Sequence, residues 1–179
     1  MLVARSSPEC HLYIRLHPCE CGEVALVTQH DVVSSDHGLV ARYRGACGRC
    51  NRARAFDFVL DPEIPPADAF GGAAASAIIC PGEFALHSDD LSSRWPASPA
   101  AIRAEDRGRA RLDLFWAIRA LEEVVKFIPA GADAVPAAAF TSAAGKAVYD
   151  REPGRFRAPR LGARLTAYRG LLVEYDGAN

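Results

Sequence analysis

Apolar and polar positions change rhythm partway along the chain. Residues 10–17 alternate, with Leu12, Ile14 and Leu16 on one side and Tyr13 and Arg15 on the other, a period of two that predicts a strand. Residues 23–33 form a second β-rich run, with Val24, Leu26 and Thr28 set against Ala25, Val27 and Gln29. Ser34, Ser35, Asp36 and Gly38 supply turn chemistry, and 39–44 reads as a third strand. Residues 52–60 read as a fourth, with Phe56, Phe58 and Leu60 sharing a face. Four short runs separated by turns predict an antiparallel sheet.

From 61 to 75 the pattern dissolves into Pro62, Pro65, Pro66, Gly71, Gly72 and a run of alanines, which predicts an irregular linker. Beyond it the period becomes helical. Pro81 can open a helix through Phe84, Leu86 and Leu91, and Ser98-Pro99 is an N-cap and first-turn pair for the next. That next helix is predicted over 99–128, with Leu114, Ile118, Leu121, Val125 and Ile128 at steps of four and three and Glu122 and Lys126 as an i,i+4 pair. Pro129 and Gly131 end it. Two more are expected over 142–151 and 159–175, the last striped by Leu161, Leu165, Tyr168, Leu172 and Tyr175. The expected class is α+β: a four-stranded antiparallel β domain over 1–60, a linker over 61–80 and a mainly helical domain over 81–179.

Composition narrows the function classes. With 50% hydrophobic and 24% charged residues, the chain has the make-up of an ordinary folded protein. A net charge of −1 provides no global field for nucleic acid or an anionic membrane. Only Lys126 and Lys146 are lysines among 21 basic residues, and Ala, Gly and Pro are abundant; this is the composition expected from the coding bias of a GC-rich bacterial gene, and it lowers the value of each arginine as a clue. The first ten residues lack the charged start, apolar stretch and cleavage site of a signal peptide, and no run of about 18 apolar residues occurs. A cytoplasmic location is expected, where thiols stay reduced and closely spaced cysteines suggest metal more than disulfide.

The cysteines carry the sharpest signal. Cys19 and Cys21 fall between the first and second predicted strands, Cys47 and Cys50 between the third and fourth. Two thiols one or two residues apart in a turn can hold the same ion, and two such turns complete a tetrahedron. Gly22, Gly48 and Asn51 can take the left-handed conformation that turns amides back towards sulfur, while Arg49 or Arg52 can offset the negative charge of a thiolate centre. This two-knuckle arrangement resembles the zinc-ribbon family over residues 10–60. The resemblance implies one structural zinc ion on Cys19, Cys21, Cys47 and Cys50. The first knuckle departs from the family in being Cys-x-Cys instead of Cys-x-x-Cys, which leaves His17 as a substitute for one thiolate. Cys10 and Cys80 lie outside the cluster.

No catalytic constellation is legible. His11, His17, His30, His37 and His87 have no Gly-x-Ser-x-Gly beside them, and Phe70-Gly71-Gly72-Ala73 lacks the Lys-Ser/Thr of a phosphate loop. His-Glu-x-x-His and the deaminase motifs are absent. Asp89 and Asp90, adjacent on a helix, point about 100° apart and do not converge. Arg151, Arg155, Arg157, Arg160, Arg164 and Arg169 form the one marked charge asymmetry, read first as a solvated surface with contacts to Glu122, Glu123 and Glu174. The expected function is that of a non-enzymatic binding protein acting on another protein, with a toxin-neutralising immunity protein as its specific form; the likeness to such proteins is one of type and size. The alternative is a nucleic-acid-binding or transcription-associated protein using the C-terminal arginine face.

Overall fold

The computed structural model describes residues 1–96 and 98–177. The chain divides into two compact units, Met1–Ile79 and Cys80–Asn179.

The first unit is a sheet with a helix on one face. Strand β1 (Leu2–Ala4) leads into helix α1 (Ser7–Leu16), followed by β2 (Leu26–Ser35), β3 (Gly38–Cys47) and β4 (Ala53–Leu60). The sheet order is β1-β4-β3-β2. Two hairpins are antiparallel, Leu26 pairing with Cys47 and Ala46 with Ala53 at their lower ends. The β1 strand instead runs parallel to β4, Leu2 against Phe58. The four-stranded sheet is therefore mixed, which corrects the expectation of a purely antiparallel one.

The same correction applies to residues 10–17, of which all but His17, the C-cap, belong to helix α1. Leu12, Ile14 and Leu16 alternate, but Cys10, Tyr13 and Ile14 also satisfy the i, i+3, i+4 spacing of a helix face, so periodicity alone could not choose. The cap decides. The Ser6 hydroxyl accepts from the Glu9 N–H at 3.1 Å, Pro8 occupies the first turn, and the Glu9 carboxylate reaches back to the Arg5 N–H at 2.6 Å. Ser6 to Glu9 is thus a helix-start signal visible in the sequence. Cys10 and Ile14 then meet Ala4, Ala41, Tyr43 and Phe58 to form the core. The Tyr43 ring lies against His30, centroids 4.6 Å apart, and against the edge of His11 at 5.4 Å.

Residues 61–79 contain no helix or strand and belong to the first unit. Ser6 and Arg5 anchor them: the Ser6 hydroxyl donates to the Phe70 carbonyl at 2.7 Å and Arg5 Nη1 to the Ala74 carbonyl at 2.5 Å. Phe70 and Ile79 are buried there.

The second unit is helical: α2 (Pro81–Ser93), α3 (Ala104–Val125), α4 (Ala143–Arg151) and α5 (Ala158–Gly177). Ser98 does cap Pro99, but the turn it opens is a short 3-10 segment, Pro99–Ala101; α3 starts after Ile102 leaves the helical region at φ −123°, ψ 157°. At the other end α3 stops at Val125, and its buried stripe runs through Val124, leaving Val125 exposed. Lys126 reaches Glu123 at 2.5 Å, and Glu122 is taken by Arg119 and Arg169. Ser142 caps α4 through the Gly145 N–H. Helix α2 contacts α3 and α4, and α3 contacts α5. No helix among the described residues is long and apolar enough to cross a membrane.

Candidate metal centre

Cys19 and Cys21 lie in the connection from α1 to β2, while Cys47 and Cys50 flank the turn from β3 to β4. The first knuckle is consequently not in a strand–strand hairpin as expected, because the segment before it is helical. Helix α1 ends on His17, whose N–H still bonds the Tyr13 and Ile14 carbonyls, and Pro18 follows. The Cys19 N–H then donates to the Glu23 carbonyl at 2.9 Å, and the Cys19 carbonyl accepts from Gly22 at 2.7 Å, closing a tight turn in which Gly22 has φ +82°.

The second knuckle is built the same way. The Cys47 N–H donates to the Arg52 carbonyl at 2.9 Å, and the Cys47 carbonyl accepts from the Asn51 N–H at 3.0 Å, with Asn51 at φ +55°. Gly48 plays a different part from the one expected of it. It is not among the left-handed residues; its N–H donates to the Ala25 carbonyl at 3.1 Å, lacing one knuckle to the segment that leaves the other.

These turns bring all four sulfurs within 4.8 Å of one another. The Cys19 and Cys50 sulfurs are 3.6 Å apart, those of Cys21 and Cys47 3.5 Å, and no disulfide joins any cysteine among the described residues. A tetrahedron with metal–sulfur bonds of about 2.3 Å has edges of about 3.8 Å. The cluster therefore has the dimensions of a four-thiolate metal site. Cys19 and Cys47 are buried, and Cys50 is exposed.

Polar surroundings favour charge on this cluster. N–H donation from Cys50 and Arg49 draws the Cys47 thiol down to about 6, a value at which it is a ready thiolate at neutral pH. Cys50 also receives the Arg52 N–H, which lowers it, but thiol hydrogen bonds shared with Cys19, Cys21 and Cys47 carry it up to about 11. The close sulfurs of Cys47 and Cys50 thus titrate in opposite directions, and a cation bound among the thiols would displace their protons. Arg49 sits beside Glu23 at 3.5 Å and donates to the Cys21 carbonyl at 3.3 Å; Arg52 pairs with Glu20. Both arginines expected near the thiols are there, each already bonded to a neighbouring carboxylate.

His17 is engaged elsewhere. Its Nδ1 contacts the Tyr13 carbonyl at 2.8 Å, and its ring stacks on Tyr13 with centroids 3.9 Å apart. The clustered ligand set comprises the four cysteines. Cys10 lies on the buried face of α1, where burial and the adjacent Glu9 push its thiol up to about 12, and Cys80 is the N-cap of α2 with its sulfur 3.3 Å from the Ser142 hydroxyl. Asp89 and Asp90 diverge as helix geometry requires: Asp89 bonds Arg155 and Arg164, Asp90 bonds Arg94. Glu83 accepts from the Cys80 N–H at 2.9 Å as part of the α2 cap. Compared with known family models, curated proteins and solved structures, the chain matches none.

Proposed function

We propose that this chain is a non-enzymatic binding protein in which one zinc ion, held by Cys19, Cys21, Cys47 and Cys50, fixes a β-hairpin for contact with another protein. Four thiolates at tetrahedral spacing suit zinc, a redox-inert ion that accepts this geometry without preference among its ligands. Four protein ligands leave no open position for a water or substrate, so the ion's contribution is structural. The zinc-ribbon likeness then lies in the two knuckles and not in the strands that carry them.

The observation that carries the reading is the placement of the cluster at the root of the β2–β3 hairpin. The register pairs Leu26 with Cys47 beside the cluster, and from there ten residues of β2 run out along the edge of the sheet. Val27 and Val32 on that strand are 75% and 48% exposed. A long edge strand is a place where another chain can add a strand, with Val27 and Val32, an odd number of positions apart, flanking it on opposite faces of the sheet. Anchoring its root to a metal reduces the ordering cost of such contact. The specific form we favour is an immunity protein that neutralises a toxin domain, in a compartment that keeps thiols reduced.

The test is co-expression with a toxin encoded beside this gene. Rescue of growth and a stable complex are expected, and Val27→Asp with Val32→Asp should weaken the complex without releasing zinc. Absence of rescue by a folded, zinc-loaded protein would remove the immunity reading; an unchanged complex in the double variant would move the contact off β2. The competing nucleic-acid reading draws little support from the C-terminal arginines: Arg155, Arg157, Arg164 and Arg169 are ion-paired to Asp89, Asp133 and Glu122 of the same chain. Measurable, salt-dependent DNA or RNA affinity would restore it.

A further inference from the structure

A cleft of about 550 Å³ opens in the helical unit beside α5. Along α5 its lining residues Arg160, Ala163, Arg164 and Ala167 recur at i, i+3, i+4 and i+7, one stripe of the helix. The two alanines keep the floor low between the arginines. Asp89 from α2 and Arg155 from the turn before α5 complete the wall, with Glu152 at the margin.

The arginines are held in place before any ligand arrives. Asp89 is a fork between two of them: its Oδ1 accepts from Arg164 Nη2 and its Oδ2 from Arg155 Nη2, both at 2.6 Å. Arg155 lies over the Phe156 ring at 5.5 Å and is 12% exposed; Arg164 lies over Tyr168 at 5.4 Å and also donates to its hydroxyl at 2.8 Å. A guanidinium carries five N–H donors. Each of these two spends only its Nη2 group, so the Nε and Nη1 hydrogens have no protein acceptor among the described residues. Arg160 has no side-chain partner there at all. Three guanidiniums face two carboxylates, and the surplus is positive.

From this geometry we infer that the cleft is a binding site for a phosphate group, free or as a phosphate monoester. Three guanidinium forks set around one space match the several oxygens of a tetrahedral dianion, whereas a carboxylate has two oxygens and one charge. Arg155 and Arg164 are preorganised by Asp89, which removes the side-chain ordering cost that usually weakens an arginine site. Arg160 is the free arm that closes on the ligand.

The experiment is calorimetric titration of the full zinc-loaded chain with inorganic phosphate and, separately, with glycerol phosphate. Chloride and acetate at matched ionic strength serve as references. Phosphate is expected to bind where chloride does not, with acetate weaker. Arg160→Gln should lower phosphate affinity roughly tenfold, the loss of one charge-assisted contact, and Arg169→Gln, outside the cleft, should leave it unchanged. Tighter binding of glycerol phosphate assigns the site to an organic monoester, and tighter binding of inorganic phosphate assigns it to the free ion. No binding above the chloride reference, equal binding of acetate, or an unaltered Arg160→Gln variant would overturn the inference.

Discussion

The sulfurs of Cys19 and Cys50 meet at 3.6 Å although 31 positions separate the two residues in the chain. One belongs to a loop leaving a helix, the other to a hairpin turn. Holding both costs loop-closure entropy, and an ion that bonds to both offsets it. The protein is therefore expected to take up one zinc ion per chain, measured by native mass spectrometry. Cys19→Ser and Cys50→Ser should each weaken uptake strongly, and the cobalt form should give the ligand-field absorption of a tetrahedral thiolate site. Full zinc uptake by the Cys50→Ser variant would exclude the four-thiolate set.

Chelation is expected to act locally. The knuckles are held by a few backbone bonds, while α1 lies on the sheet through Cys10, Ile14, Tyr43 and Phe58, an apolar core independent of the ion. Hydrogen exchange after metal removal should rise sharply at residues 19–25 and 47–52 and much less along β4 near Phe58. Uniform loss of protection across the sheet would show that the ion supports the whole unit.

Arg5 and Glu9 form a buried pair at 2.5 Å, with Glu9 fully inaccessible and also bonded to the Arg5 N–H and Nε. Arg5 extends the link to the Ala74 carbonyl. Removing one partner leaves the other charge buried, a loss of about 3–5 kcal/mol. Glu9→Ala is expected to lower unfolding free energy by that order in denaturant titration, and Arg5→Ala should in addition free residues 61–79 to proteolysis. A change below about 1 kcal/mol would mean that water replaces the pair without penalty.

Gly82 and Gly145 face each other where α2 and α4 pack closely. A methyl group on Gly82 would lie 2.4 Å from the Gly145 Cα, and one on Gly145 would lie 2.3 Å from the Cys80 sulfur. Gly82→Ala meets backbone, which cannot rotate away, so overpacking should cost about 1–3 kcal/mol despite the better helix propensity of alanine. Gly162→Ala, with open space around it, should be neutral or stabilising. Thermal unfolding of the two variants checks the contrast.

Cys10 sets an alkaline limit. Its thiol stays protonated to about 12 in the folded state because of burial and Glu9, while the exposed thiol ionises near 9. The unfolded chain therefore releases a proton first, and the stabilising contribution, complete below about pH 9, is lost as pH rises towards 12. Tyr43, raised by burial in the same core, acts in the same direction. At equal zinc loading, Cys10→Ala should show a shallower alkaline decline in denaturant midpoint than the parent chain. Parallel declines would exclude Cys10 as a source.

The cysteine spacing, the β2–β3 turn at Ser34 to Gly38, and the helical stripe through Leu114, Ile118 and Leu121 were legible in the sequence because each is local: a turn residue type, a short ligand bite, a period of 3.6. Residues 10–17 were not legible from periodicity, since Cys10, Leu12, Ile14 and Leu16 alternate while Cys10 and Ile14 also share a helix face; the Ser6-to-Glu9 cap and its long-range ties to Phe70 and Ala74 settled it. The parallel pairing of Leu2 with Phe58 and the fork of Asp89 on Arg155 and Arg164 join residues more than fifty positions apart. The sequence by itself determined which residues can ligate a metal and where helices and turns are favoured. Only the tertiary structure decided which strand lies beside which, which arginines are neutralised and which remain open. Those outcomes depend on contacts between distant segments, and no local propensity encodes a distance across the fold.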